Sequence, residues 1–386
     1  MKSLRIGTIF FFFALLQVHA EEKKHTICLN MIVKNETKVI RRSLASAKRL
    51  IDYWVIVDTG STDGTQEMIR EFMKEIPGEL HEREWVDFAH NRNEALQLAK
   101  NKGEYVLFID ADEEFTYVED FVRPYLEKDF YYININHGGS LYKRTHLIKN
   151  AYDWKWVGVV HEYIGSPMAT TSGTLEGVVN IYRSEGARSS DPEKYKKDAR
   201  ALEKALVTEP ENSRNVFYLA QSYRDAGEKE LALENYQKRA EMGGWDQEVF
   251  WSKYQIGVLQ EDLKKDPIAI IQSYTEAFQY RPTRAEPLYR LAHFFRDQSN
   301  YLMGYLVASH AASLPRPNDI LFVETWVYEY GLLMERSVCA YWIEKYAECL
   351  KLAREMLLNP HLPANVRECG ESNIWWAKSK LEPSNQ

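Results

Sequence analysis

The sequence predicts an α/β domain followed by an all-α domain. Between residues 26 and 182, short β-branched or aromatic runs alternate with amphipathic stretches, which is the pattern of a parallel α/β sheet. From residue 192 onward nearly every segment has helical spacing. The chain has 386 residues, enough for two domains. We therefore expect a Rossmann-like mixed-sheet domain over residues 25–183, a linker at 184–191 and a helical repeat domain over 192–380.

Individual elements follow from the same patterns. Buried strands are predicted at residues 27–33, 53–57 and 105–109, where five to seven apolar residues run together. The intervening stretches 39–50, 66–74 and 91–100 have helical spacing. Beyond residue 110 the helical stretches become sparse, and two further strands at 130–136 and 140–148 indicate that the sheet is mixed.

The second half contains a repeating small-residue pattern. One unit fits the tetratricopeptide repeat of helix, turn and helix, with the pattern carried by Leu219, Ala220, Tyr223, Gly227, Ala232 and Tyr236. Gly257 and Ala292 continue the period with looser sequence, and small residues at such positions let paired helices approach closely. An unrelated helical bundle is the alternative. Residues from 319 to the end fit the repeat poorly and are interpreted as a capping region.

Composition excludes several classes of function. Lys+Arg 49 against Asp+Glu 56 gives a net charge of -7, and no dense basic run is present, so nucleic acid is not expected as a partner. The cysteines, 4 in number, are too few and too unevenly spaced for a disulfide scaffold or a Cys-x-x-Cys zinc site.

The N-terminus has the layout of a secretory signal peptide. Lys2 and Arg5 precede an apolar run over residues 6–18, and a charged run follows at 21–24. The apolar run is shorter than the roughly 20 residues that span a bilayer, so we expect a cleaved segment at 1–20. This places the protein in the secretory lumen or outside the cell, with membrane association as an alternative.

Polar residues follow three of the predicted strands. Ligands of parallel α/β sheets bind at the carboxyl ends of the strands, and here these ends carry residues 34–36, 58–65 and 110–113. The second loop has neither the spacing of a calcium loop nor that of a phosphate loop. Its alternative interpretation is a capped helix start, with Thr62 or Asp63 as the N-cap.

Asp110 and Asp112 form a D-x-D pair directly after an apolar strand. Two carboxylates held close together repel each other unless a cation lies between them. A divalent ion, Mn²⁺ or Mg²⁺, that carries a diphosphate would solve this problem, because such ions take few protein carboxylates and share substrate phosphates.

These motifs together resemble the family 2 glycosyltransferases of the GT-A fold. The resemblance rests on residues 27–36, 58–65, 91–93 and 110–113 and covers roughly residues 25–183, and the helical half resembles the tetratricopeptide extension of some members. It implies a nucleotide-sugar donor but does not specify the sugar. The implied nucleotide-site residues are Glu36 and Asp58 around the base, Asp63 in the second loop, Arg92 and Asn93 near the nucleotide, Asp110 at the ribose or the metal, and Asp112 at the metal.

A base is still needed, and the segment 154–162 is the best place for it. An apolar run with two tryptophans is followed there by a polar His-Glu pair. The segment resembles a W-x-G-x-V-H-E segment of repeat-bearing relatives. We assign Glu162 as the base, His161 as a third metal ligand and Asp153 as the reserve base. In an ideal strand His161 and Glu162 would lie on opposite faces, and a solvated turn is the alternative.

The predicted function is an inverting transfer of a sugar from a nucleotide-diphosphate donor, most simply UDP-linked, to a hydroxyl of a glycan, lipid or protein. The repeat domain would bind the acceptor or a protein partner. A non-catalytic scaffold and a nucleotidyltransferase are the alternatives. The second of these would need a basic glycine-rich loop after the first strand, which residues 34–36 do not provide.

Overall fold

A computed structural model describes residues 24–137, 140–183, 185–188 and 191–382. The predicted signal peptide at 1–20 lies outside these residues. No helix in the described part of the chain combines the length and the apolar character needed to cross a bilayer.

The N-terminal half is built on one large mixed sheet. Its strand order is β3-β2-β1-β4-β7-β6-β10-β5, with β11 added beside β7. The first four strands in this order are parallel, whereas β7 is antiparallel to both β4 and β6. A separate hairpin is formed by β8 and β9. The strand bounds are β1 Ile27–Val33, β2 Tyr53–Asp58, β3 Gly78–Glu82, β4 Tyr105–Phe108, β5 Glu113–Tyr117, β6 Phe130–His137, β7 Ser140–Lys149, β8 Lys155–Val157, β9 Tyr163–Gly165, β10 Ser172–Tyr182 and β11 Val323–Glu324.

Helices cover both faces of the sheet, which explains why its central strands are apolar runs. The helices α1 (Ile40–Ala47) and α2 (Thr65–Met73) pack on one face, and α3 (Phe88–Leu98) packs on the other with the β8–β9 hairpin. Strands that are buried on both faces have no polar side to alternate with. This arrangement leaves the carboxyl ends of β1, β2 and β4 at one edge of the sheet.

The C-terminal half is a stack of antiparallel helix pairs, as the repeat pattern predicts. Each helix packs on the next one in the chain, and alternate helices also touch, as in α7 with α9 and α9 with α11. A short π-helical segment, Val327–Gly331, leads into α11. The helix bounds are α4 Lys194–Thr208, α5 Ser213–Asp225, α6 Lys229–Glu241, α7 Asp246–Asp262, α8 Pro267–Tyr280, α9 Glu286–Asp297, α10 Tyr301–Ala311, α11 Leu332–Trp342, α12 Tyr346–Met356 and α13 Ala364–Leu381.

Small residues allow the close helix contacts that the sequence pattern predicts. Ala220, Ala232 and Ala292 are fully buried. Gly257 lies against the ring of Tyr274, where an added Cβ would come within 2.6 Å of a ring carbon. A larger residue at these positions would push the paired helices apart.

The segment predicted as the start of a capping region instead leaves the helical stack and joins the sheet. Val323 pairs with Leu141 to form β11 on β7. The ring of Phe322 packs against Phe217 of α5 and Trp251 of α7. This segment of the chain therefore packs on α5 and α7 as well as on the sheet.

Candidate active site

The loops after β1 and β2 are tied together by side chains. Asn35 donates its backbone N–H to the Ser61 hydroxyl and accepts from the Thr62 N–H, both at 2.8 Å. Asp63 accepts from the backbone N–H and hydroxyl of Thr37 and from those of Thr65. Burial opposes ionisation of Asp63, but these four hydrogen bonds lower its pKa to about 2. Asp63 therefore fixes the two loops to each other, and it does so as the carboxylate.

Asp58 ends β2 as a completely buried carboxylate. Its Oδ1 accepts from the backbone N–H groups of Gly60 and Ser61 and from the Gln66 amide, at 2.8 to 3.0 Å. Its Oδ2 has no hydrogen-bond partner within the described part of the chain. A buried acceptor without a donor raises the free energy of the fold by about 1–3 kcal/mol.

Glu36 lies half-buried beside this loop pair. Its backbone N–H donates to the Thr65 hydroxyl at 2.8 Å, and its carboxylate accepts from the Ala187 N–H at 3.2 Å. Burial and the nearby carboxylates, with Asp112 the foremost of them, raise the pKa of Glu36 to about 7. This carboxyl group therefore changes charge near neutral pH and is sensitive to any cation that enters the site.

Two guanidinium groups hold Asp110, the first carboxylate of the D-x-D pair. Arg92 donates to its Oδ1 at 2.6 Å and Arg144 to its Oδ2 at 3.3 Å. Burial opposes the charge, but these two cations keep the pKa of Asp110 far below its usual range. Asp110 is thus neutralised by the protein itself, before any metal or ribose approaches it.

Arg144 and Glu113 belong to this cluster, although the sequence patterns did not point to them as site residues. Arg144, on β7, donates to both carboxylate oxygens of Glu113 at 2.7 Å. Glu113 is almost fully buried and also accepts from the Asp110 N–H at 3.0 Å. The buried His146 lies next to Arg144, and burial followed by that positive charge lowers its pKa to about 3. Glu113 could have been found from its place in the 110–113 motif, whereas Arg144 lies in a separate strand and no sequence motif surrounds it.

Asp112, the second carboxylate, meets the described part of the predicted linker. Its Oδ2 accepts from the Gly186 N–H at 3.3 Å. An added Cβ at Gly186 would come within 2.8 Å of the same oxygen, so only glycine allows this approach. Residues 185–188 therefore lie across the acidic site instead of running clear of it.

The β8–β9 hairpin brings the proposed base to Arg92. Arg92 donates through Nε to the Glu162 carboxylate at 2.5 Å, and its guanidinium lies 5.0 Å from the ring centre of Trp156. The side chain of Glu162 is only 9% exposed. Asn93 exchanges two hydrogen bonds with the backbone of Trp156, which fixes the hairpin on α3. Arg92 thus joins Glu162 to Asp110, two residues that are far apart in the sequence.

Residues 158–162 form a loop between β8 and β9, so the alternation rule for strands does not apply to them. Gly158 has a φ of 113° and His161 a φ of 52°. The left-handed conformation of His161 costs roughly 1–2 kcal/mol. The His161 ring stacks on Tyr218 of the repeat domain with ring centroids 4.4 Å apart. The loop therefore directs His161 toward the repeats and Glu162 toward Arg92.

The geometry supports the predicted metal ligands unequally. Part of His161 is exposed to solvent, but desolvation of its ring and then the charges of Arg188 and Arg214 lower its pKa to about 3. Among the residues that the structure describes, no group of three or more His, Cys, Asp or Glu side chains converges on a metal position. A diphosphate-bound ion needs only one or two carboxylates, and Asp112 has the right oxygen chemistry. The roles of Asp110, Asp112 and His161 as metal ligands stay predictions.

Asp153, the reserve base, is not brought into the site. Its side chain is 97% exposed and lies 3.8 Å from Lys100. It follows the end of β7 that pairs with the start of β4, at the sheet edge opposite Asp110. Its position in the sequence near Glu162 was misleading, because β8 separates the two residues in space.

The comparison with known families identifies the first half. Residues 28–171 match the family described as "Glycosyl transferase family 2". This range contains nearly all of β1, the strands β2 to β7, the loop pair, the D-x-D motif and the β8–β9 hairpin, but not β10 or β11.

Known proteins resemble the chain in part. The SPbeta prophage-derived glycosyltransferase SunS of Bacillus subtilis is 26% identical over 237 residues, which are 55% of this chain and 53% of that protein. A TPR repeat-containing protein of Synechococcus elongatus is 38% identical over 89 residues, 23% of this chain and 21% of that protein. The crystal structure of MamA covers 50% of this chain and 88% of its own, with 16% identity and a TM-score of 0.35.

The chain spans about half the length of the curated glycosyltransferase that it matches. Its sheet domain carries the predicted acidic motifs at one edge, and its repeats follow as helix pairs. Residues 28–171 of this chain therefore match glycosyl transferase family 2, and a helical repeat region follows them.

Proposed function

We propose that the protein is an inverting glycosyltransferase that uses a nucleotide-diphosphate sugar, most simply a UDP-sugar, and a divalent cation. The observation that carries the proposal is the convergence of Asp58, Asp110, Asp112 and Glu162 at the carboxyl ends of β2 and β4 and on the neighbouring hairpin. The family 2 match over residues 28–171 supports the reaction class.

The donor nucleotide would bind over the loops after β1 and β2. Asp58, at the end of β2, and Glu36, after β1, would lie around the uracil ring, and Glu36 is the more exposed of the two. Because Arg92 and Arg144 already neutralise Asp110, Asp112 is the carboxylate best suited to hold the cation. When bound, Mn²⁺ or Mg²⁺ supplies positive charge to the departing diphosphate.

Glu162 serves as the base in this scheme. The acceptor oxygen attacks the anomeric carbon as the bond to the diphosphate oxygen breaks, and the hydroxyl proton passes to the Glu162 carboxylate. The contact with Arg92 holds the Glu162 carboxylate in place beside Asp110. The acceptor is a hydroxyl of a glycan, lipid or protein that approaches the anomeric carbon from the side of Glu162.

The test separates donor binding from chemistry. Nucleotide binding is read as a thermal shift with UDP and Mn²⁺, for which a hundredfold excess over Kd gives about 2.7 kcal/mol of stabilisation. Turnover is read as UDP released from a panel of UDP-sugars, with water as the acceptor where no better one is found. Glu162→Gln should keep the shift and lose at least about a hundredfold in turnover, whereas Asp112→Asn should lose the shift.

Asp153→Asn is the matched control, because it removes a carboxylate near Glu162 in sequence but at the opposite edge of the sheet. It should leave both measurements unchanged. Normal turnover in Glu162→Gln would remove Glu162 as the base. A chain that gives no thermal shift with any nucleoside diphosphate and cation would favour the non-catalytic scaffold.

A further inference from the structure

The first repeat helices hold the loop that carries Glu162. Val160 lies in this loop, yet its side chain is buried in the hydrophobic core of the repeat domain with Phe217 and Tyr218 of α5. The next residue, His161, stacks on Tyr218 with planes only 18° apart. The repeat domain thus contributes to the shape of a loop that the family 2 domain encodes.

Arg214 of α5 makes the most specific of these contacts. It donates to the backbone carbonyl of His161 at 3.0 Å and to the Tyr218 hydroxyl at 3.3 Å. Its guanidinium lies 4.7 Å from the ring centre of Tyr218 and 5.0 Å from that of Tyr163, on β9. Glu248 of α7 is 3.5 Å away and partly neutralises it. Arg214 therefore contacts the residues on both sides of Glu162, His161 and Tyr163.

The backbone at this point needs such support. His161 has a φ of 52°, a left-handed conformation that residues with a Cβ rarely adopt. Gly158 closes the same loop, and a Cβ there would lie 3.4 Å from the Cα of Glu162. Strained backbone persists where neighbouring groups fix it, and here those groups are Arg214 and Tyr218.

The consequence reaches the donor site through a short chain of contacts. Glu162 follows His161 directly, so the left-handed turn sets the direction in which its carboxylate points. That carboxylate binds Arg92 at 2.5 Å, and Arg92 binds Asp110 at 2.6 Å. A shift of the loop would displace the base without removing any group that contacts the nucleotide.

We propose that Arg214 is a positioning residue, through which the repeat domain holds the Glu162 loop in its active conformation. The proposal rests on the proposed function for the role of Glu162. It gives the repeats a role inside the catalytic unit that is independent of any external partner.

The first test measures the loop itself, without substrate. Hydrogen exchange of residues 155–165 is compared in the full chain, in Arg214→Met and in Arg200→Met, an exposed arginine of α4. Arg214→Met should speed exchange in this loop at least tenfold and leave β1, β2 and β4 unchanged. Arg200→Met should match the wild type. Unchanged exchange of the loop in Arg214→Met would overturn the proposal, whether or not the protein is a transferase.

The second test uses turnover. Arg214→Met should lower kcat at least tenfold with the donor KM within twofold, and Arg214→Lys, which can still donate to the His161 carbonyl, should recover part of the loss. In a Glu162→Gln background Arg214→Met should cause no further loss, because both changes remove the same function. If the losses in turnover of the two single variants were fully additive in the double variant, the proposal would be overturned. If Arg214→Met does not fold, Tyr218→Leu removes the stacking partner and is held to the same criteria.

Discussion

Removal of Arg92 should lower the free energy of unfolding, because this residue neutralises two carboxylates of the site. Arg92 is only 12% exposed and pairs with Asp110 and Glu162 at once. In Arg92→Met the apolar volume is kept, but two carboxylates lose their shared cation, and Arg144 compensates only one of them. Loss of one partner of a buried ion pair costs about 3–5 kcal/mol, so we expect the free energy of unfolding to fall by about that amount at pH 7.

The size of this effect should depend on pH, with a sign that follows from Asp110. The pKa of Asp110 in the folded protein is held below its ordinary value of 3.8, so the stabilisation is present above that value and is lost only as pH falls below it. The wild type therefore keeps this contribution between pH 7 and pH 5. In the variant Asp110 keeps only Arg144 as a cationic partner, so its pKa should rise and the deficit should become smaller as pH falls to 5.

Urea denaturation at pH 7 and pH 5 measures both effects, provided that the dependence on urea concentration is unchanged between proteins. Arg183→Met is the matched control, since Arg183 pairs with Glu114 while 41% exposed, and such pairs contribute at most about 1 kcal/mol. A deficit below about 1 kcal/mol for Arg92→Met, or one that is equal at both pH values, would refute the reasoning.

Two further variants test other parts of the structure. Burial raises the pKa of Glu36 from 4.5 to about 7, so the stabilisation provided by its protonated form is lost as pH rises through this window. Relative to the wild type, the free energy of unfolding of Glu36→Gln should therefore increase by about 1–3 kcal/mol between pH 5 and pH 8, as measured by chemical denaturation. A difference that does not change with pH would contradict the burial effect. Phe322 packs between the sheet and the repeats, so Phe322→Ala should lower the free energy of unfolding by about 3 kcal/mol and speed amide exchange at residues 140–143. Leu358 is 81% exposed, and Leu358→Ala should change the free energy of unfolding by less than about 0.5 kcal/mol. Equal losses for the two variants would mean that this segment does not join the two halves.

The sequence alone determined the fold class and most of the loops at the candidate site. The strands β1, β2 and β4 were predictable because strands buried on both faces are continuous apolar runs. The strands β5, β8 and β10 were not predicted, since short or half-polar segments give a weak periodic signal. The loop residues Asp58 and Asp110 were predictable because the ends of parallel strands meet at one edge.

Tertiary structure decided how those residues are partnered. Arg144 neutralises Asp110 from an antiparallel strand, and Glu162 reaches Arg92 from a hairpin, contacts between segments far apart in the chain that no local pattern encodes. The repeats could be recognised from their small residues. The contacts of Phe322 with α5 and α7, and of Arg214 with the Glu162 loop, could not be predicted in this way. Periodicity reports which face of an element is buried, whereas the choice of partner depends on how the elements pack in three dimensions.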